Sequence, residues 1–98
     1  MRTFNEIKEI LNNHRDILKE RFGVKEIGIF GSYVREEPQE SSDIDILVEF
    51  LDGYKTFDNY MDLKFYLEDL LNLKVDLVSK TALKPRIKPY ILEEVIYA

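Results

Sequence analysis

Apolar residues change their period several times along the chain, and each change marks an element. Phe4, Ile7, Ile10, Leu11, Ile17, Leu18 and Phe22 recur at helical spacing up to Gly23. Thr3 with Glu6 three positions later makes a capping box, so the pattern predicts one amphipathic helix ending at Gly23. Val24 to Phe30 is short, rich in β-branched and aromatic residues, and runs into Gly31-Ser32, which predicts a strand closed by a turn. Ser32 to Glu37 then has room for about two turns of helix before Pro38.

From Asp43 the period falls to two. Ile44, Ile46, Val48 and Phe50 take one face of a second strand, and Asp43, Asp45, Leu47 and Glu49 the other. An Asp52-Gly53 turn leads into a helix from Thr56 to Leu71, with Phe57, Tyr60, Met61, Leu67, Leu70 and Leu71 as expected core contacts. Lys74 to Ser79 reads as a third strand, parallel to the second if the helix between them is a crossover. The tail from Thr81 reads as helical, with Pro85 and Pro89 disturbing its start. Alternating helices and short strands predict one α/β sandwich domain over residues 1–98, a three-stranded mixed sheet backed by helices.

Composition narrows the functions this domain can have. With 98 residues there is room for one modest core and none for a separate substrate lobe, so a large substrate has to meet a surface or a second chain. Hydrophobic residues make up 45% of the chain and aromatic ones 12%, which is the balance of a folded globular protein. A formal charge of -5 argues against a nucleic-acid polymer as the main partner, because the phosphate backbone calls for a basic face. The absence of cysteine fits a reducing cytoplasm and rules out thiolate chemistry. Neither a signal peptide nor a run approaching a membrane span is legible, so the expectation is a soluble cytoplasmic protein.

The candidate chemistry lies between Gly31 and Asp76. Residues two apart on a strand share a face with Cα atoms about 6.5 Å apart, so Asp43 and Asp45 can converge on one spot. In "KVDLVS" the core positions are Val75 and Leu77, which leaves Asp76 on the opposite face, beside the other two if the strands are parallel. Three carboxylates this close repel one another unless a divalent cation sits among them, and Mg²⁺ prefers such oxygens. Gly31 lets backbone approach a phosphate, and Ser32 and the following amides can donate to it. Arg35 can add charge to that cradle or pair with Glu36 or an aspartate.

Several residues have plainer readings. His14 falls on the apolar stripe of the first helix, as a partly buried or interface histidine does, and Glu36, Glu37 and Glu40 read as a solvated loop. Tyr54, Phe57, Tyr60, Phe65 and Tyr66 exceed what one helix face can bury, which favours a protein interface in that region.

The stretch "GSYVREEPQESSDIDILVEF" resembles the signature of the polymerase-β-type nucleotidyltransferase superfamily, Gly-Ser followed after ten residues by Asp-x-Asp, with Asp76 matching the third carboxylate. Chain length and the bare core resemble the minimal nucleotidyltransferases, and "LKPRIKPYILEEV" is similar to the family's Arg-Pro-rich entry to its last helix. The resemblance implies a nucleotidyltransferase fold and transfer of AMP from Mg²⁺-ATP. Gly31 and Ser32 would lie on the phosphates, and Asp43, Asp45 and Asp76 on two metal ions, with Asp76 as base. It also implies a HEPN ribonuclease toxin as partner, neutralised by AMP attached to a tyrosine. Arg35-Glu36-Glu37 departs from the family's Arg-Gly-Glu, which bears on the short helix and not on the carboxylates. Two alternatives stand beside this: an antitoxin that blocks its partner by binding alone, and transfer to a small molecule, which the chain's size disfavours.

Overall fold

The computed structural model describes residues 3–35 and 43–98. The first helical pattern is two helices, α1 (Phe4–Asn13) and α2 (Arg15–Phe22), and not the single one expected. The Thr3 capping box is present, with Glu6 N–H donating to the Thr3 hydroxyl. The break falls at His14, whose ring Nδ1–H donates to the Ile10 carbonyl at 2.8 Å while its own N–H is shared between Ile10 and Leu11 carbonyls. A side chain bonding back to the preceding turn competes with the helix ladder there. The apolar stripe nevertheless continues across the break, and Ile7, Leu11, Leu18 and Phe22 are all buried.

Strand β1 (Val24–Phe30) has the expected limits and is followed by a 3₁₀ turn, Gly31–Tyr33, in place of the start of a longer helix. The remainder of that helix, like the loop of Glu36, Glu37 and Glu40, lies outside the described residues. Strand β2 (Ile44–Phe50), helix α3 (Phe57–Leu71) and strand β3 (Val75–Ser79) form a crossover unit, and β2 and β3 are parallel. Helix α4 (Lys88–Glu94) carries Pro89 in its first turn, where a missing N–H costs nothing.

A fourth strand, β4 (Ile96–Tyr97), is an addition to the expected three. It pairs antiparallel with β1, giving the order β3-β2-β1-β4 in a mixed sheet. Gly28 makes the pairing possible, because a Cβ there would lie 2.7 Å from Val95 Cγ2 and 3.0 Å from the Ile96 carbonyl.

Both sheet faces are covered, unequally. Helices α1, α2 and α3 pack on the face carrying Ile27, Ile29, Ile44, Ile46, Val48, Val75 and Leu77. On the other face a smaller cluster of Phe30, Leu47 and Leu83 sits under Val78, Ile91, Leu92 and Val95, so Leu47, expected on a polar face, is buried beneath α4. The core stripe of α3 is Leu63, Leu67 and Leu71, with Tyr60 and Tyr66 packed alongside. Phe57, expected in the core, is 75% exposed, and Phe65 is exposed as well. No helix among the described residues is long and apolar enough to cross a membrane.

Candidate active site

Strand register brings the candidate residues together. Asp45 pairs with Phe30 of β1 on one side and with Asp76 of β3 on the other, so the end of β1, the second residue of β2 and the second residue of β3 lie in one row across the sheet. Alternation puts Asp45 and Asp76 on the less covered face, because Ile44, Ile46, Val75 and Leu77 all point into the larger core. The expected parallel arrangement of these two acids is therefore present.

Gly31 shows how tightly the turn and the acids fit. Its φ of +79° lies in the left-handed region, and a Cβ built there would fall 2.0 Å from Asp45 Oδ2. A side chain at position 31 would be strained by the backbone and blocked by the carboxylate. The Gly31 carbonyl accepts from Val34 and Arg35 N–H, which folds the turn against the strand end. Ser32 is half-buried beside it, and Tyr33 turns inward, with its hydroxyl buried and without a hydrogen-bond partner among the described residues. Desolvation raises the Tyr33 pKa above the ordinary phenol value.

The electrostatics mark Asp45 as the strained member. Its carboxyl is pushed up to about 6, first by burial, then by the Asp76 charge and a side-chain hydrogen bond with Asp76, with a smaller push from Asp43. Arg35 pulls in the opposite direction, so its guanidinium lies within reach of the carboxylate field. Two acids sharing a proton are what a cation would replace, and that donor chemistry fits a divalent metal. Asp43 is exposed at the start of its described segment. Among the described residues no three acids or histidines are gathered closely enough to hold an ion; the register joins Asp45 with Asp76, and the charge of Asp43 reaches the Asp45 carboxyl.

Arg35 also forms an ion pair with Glu94 at the end of α4, Nη1 to Oε1 2.6 Å. The sequence offers Glu36 or an aspartate as alternative partners for Arg35 and gives no sign of Glu94, which lies 59 residues away. Only the burial of Leu47 under α4 brings that helix end to the turn, and a strict two-residue alternation hides it.

Comparison with known proteins decides the family. Residues 11–98 match the family described as nucleotidyltransferase domain. The chain belongs to that family. A protein of Methanocaldococcus jannaschii provisionally named a protein adenylyltransferase is 56% identical, with 99% of each chain covered. Protein adenylyltransferase MntA of Thermococcus cleftensis is 52% identical, covering 99% of this chain and 97% of that one. Among solved structures, one provisionally assigned as a minimal nucleotidyltransferase is 40% identical, covers 90% of this chain and 92% of its own, and superposes with a TM-score of 0.74. A chain from the complex of tri-AMPylated Shewanella oneidensis HEPN toxin with MNT antitoxin shares the fold, with a TM-score of 0.67, 22% identity, and 93% and 70% of the two chains covered. This nucleotidyltransferase-family chain thus has the α+β fold with a mixed sheet that its sequence predicts, enlarged by one strand.

Proposed function

We propose that this chain transfers AMP from Mg²⁺-ATP to a hydroxyl of a partner protein, a tyrosine of a HEPN-type toxin, and so acts as the antitoxin of a pair. The observation that carries the reading is the close fit of Gly31 against Asp45, which sets the Gly-Ser turn directly beside an acid pair in a nucleotidyltransferase-family chain. The names of the relatives support the adenylyl group, and fold likeness to a chain of a toxin-antitoxin complex supports the class of partner. A domain of this size and net charge supports a protein acceptor met at a surface over a polymer of nucleotides.

In this reading Gly31 and Ser32 hold the phosphates, with Arg35 adding positive charge at the same turn. Asp43, Asp45 and Asp76 hold the metal, two ions in all. Divalent ions bound there supply a counter-charge to the oxygens of the α-phosphate and of the departing pyrophosphate. Asp76, on the outer strand, takes the proton of the attacking hydroxyl. A new bond forms from that oxygen to the α-phosphorus, the bond from the α-phosphorus to the bridging oxygen breaks, and pyrophosphate leaves with the electron pair.

Intact mass spectrometry tests the reading. The protein is incubated with Mg²⁺-ATP and the product of the gene beside its own, and the expected result is AMP-sized additions to the partner that vanish with D43A/D45A. Neutralisation of the partner by D43A/D45A without any mass shift would overturn the enzymatic reading and favour binding alone. Full transfer by Asp76→Asn would remove the base assignment.

A further inference from the structure

Asp76 stands on an edge strand, where backbone is least constrained, yet the proposed reaction asks most of it there. Its strand alternates: the Lys74 carbonyl accepts from Ile44 N–H, so residues 74, 76 and 78 address β2 and residues 75 and 77 turn their N–H and C=O groups to the open side. Two side chains of α3 reach over that open side. The Glu68 carboxylate accepts from Val75 N–H at 2.9 Å, and the Tyr60 hydroxyl donates to the Leu77 carbonyl. The two bonds grip the residues immediately before and after Asp76. Both side chains of the grip, the Glu68 acceptor and the Tyr60 donor, stand on a helix that is itself locked to the core by Leu63, Leu67 and Leu71. A strand edge covered only to prevent stray pairing has no need of caps centred on one residue.

We infer that Glu68 and Tyr60 are positioning residues for Asp76, clamping the edge strand so that its carboxylate stays in register with Asp45. The inference rests on the proposed role of Asp76 in AMP transfer, and it assigns a task to two residues of α3 through their bonds to the strand backbone. Glu68 also meets Lys64 at 4.0 Å, one helical turn back.

The test compares Tyr60→Phe, Glu68→Ala and Glu68→Gln with the parent protein well below their melting temperatures. Tyr60→Phe loses only the hydroxyl, and Glu68→Gln keeps an oxygen that accepts from Val75. A clamp predicts a kcat for AMP transfer lowered about tenfold or more in Tyr60→Phe and Glu68→Ala, with KM for Mg²⁺-ATP unchanged, and most of the rate kept by Glu68→Gln, since small displacements of a reacting group cost that much. Amide hydrogen exchange should quicken over residues 75–79 in the first two variants, while β1 and β2 amides keep the parent rate. Parental kcat in both variants, or a loss that Glu68→Gln shares equally, would overturn the inference. A parent protein that transfers no AMP would sink the proposed function alone, and exchange at residues 75–79 would then decide the clamp, unchanged rates counting against it.

Discussion

At the scale of single residues, Asp45 is where fold and chemistry pull against each other. Its carboxyl holds a proton up to about pH 6, whereas the unfolded chain releases it near the ordinary value of about 4. Between those two values the folded chain binds more protons than the unfolded one, so this group's contribution to stability is present below about pH 4 and is lost as the pH rises through about 6. Thermal unfolding in a chelating buffer should therefore show Asp45→Asn gaining on the parent as the pH goes from 4.5 to 6.5, by roughly the stability that a shifted carboxyl forfeits. Added Mg²⁺ should close the gap. A constant difference across that range would show that the acid pair costs the fold nothing. The pair itself was legible, because Asp45 and Asp76 sit at strand positions whose side is set by their apolar neighbours. Its tension was not, since burial and the hydrogen bond between Asp45 and Asp76 depend on the packing of β1 and the turn over both.

Elements were legible where their apolar period was long enough to outweigh the ends. Strand β1 and the body of α3 fall where the pattern puts them, whereas β4, two residues long, has no period to read. Phe57 was misplaced for a related reason. As the first residue of α3 it shares the stripe's chemistry, but the helix meets the sheet only from Tyr60 onward, and Phe57 lies before that contact. Truncating Leu67 to alanine should cost about 2–5 kcal/mol in a denaturant titration, as a buried leucine does. The same truncation at Phe57 should change stability by under about 0.5 kcal/mol, as surface substitutions do. Equal losses at the two positions would mean that Phe57 is covered in solution. The split of the first helix at His14 escaped the pattern because the apolar stripe crosses the break undisturbed, and only a ring nitrogen on the Ile10 carbonyl reveals it.

For the whole molecule, the two sheet faces divide the labour. Three helices on one face supply the stable body, and the other face holds a thin cover of α4 beside the acids. The Arg35 to Glu94 pair spans the gap between turn and cover, with the arginine half exposed. Ion pairs so exposed contribute under about 1 kcal/mol, so its worth lies in where it holds the guanidinium. Arg35→Ala should melt close to the parent while weakening Mg²⁺-ATP binding about tenfold, a contact of roughly 1.4 kcal/mol read by titration calorimetry. Unaltered binding would place Arg35 outside the nucleotide site and leave the pair as a strut. That long-range contact is also the part of the site hardest to foresee from sequence, because it depends on α4 folding back over Leu47.

The rims of the sheet have a consequence for the protein in bulk. On one rim the Val75 N–H and the Leu77 carbonyl are already taken by α3. The other rim is a strand of only two residues, with the Ala98 carbonyl accepting from Arg15. Among the described residues these caps take up backbone groups that could otherwise template a stranger's strand, the usual first step towards fibres. An edge strand capped by its own helix offers a neighbouring chain fewer places to pair when the protein is crowded.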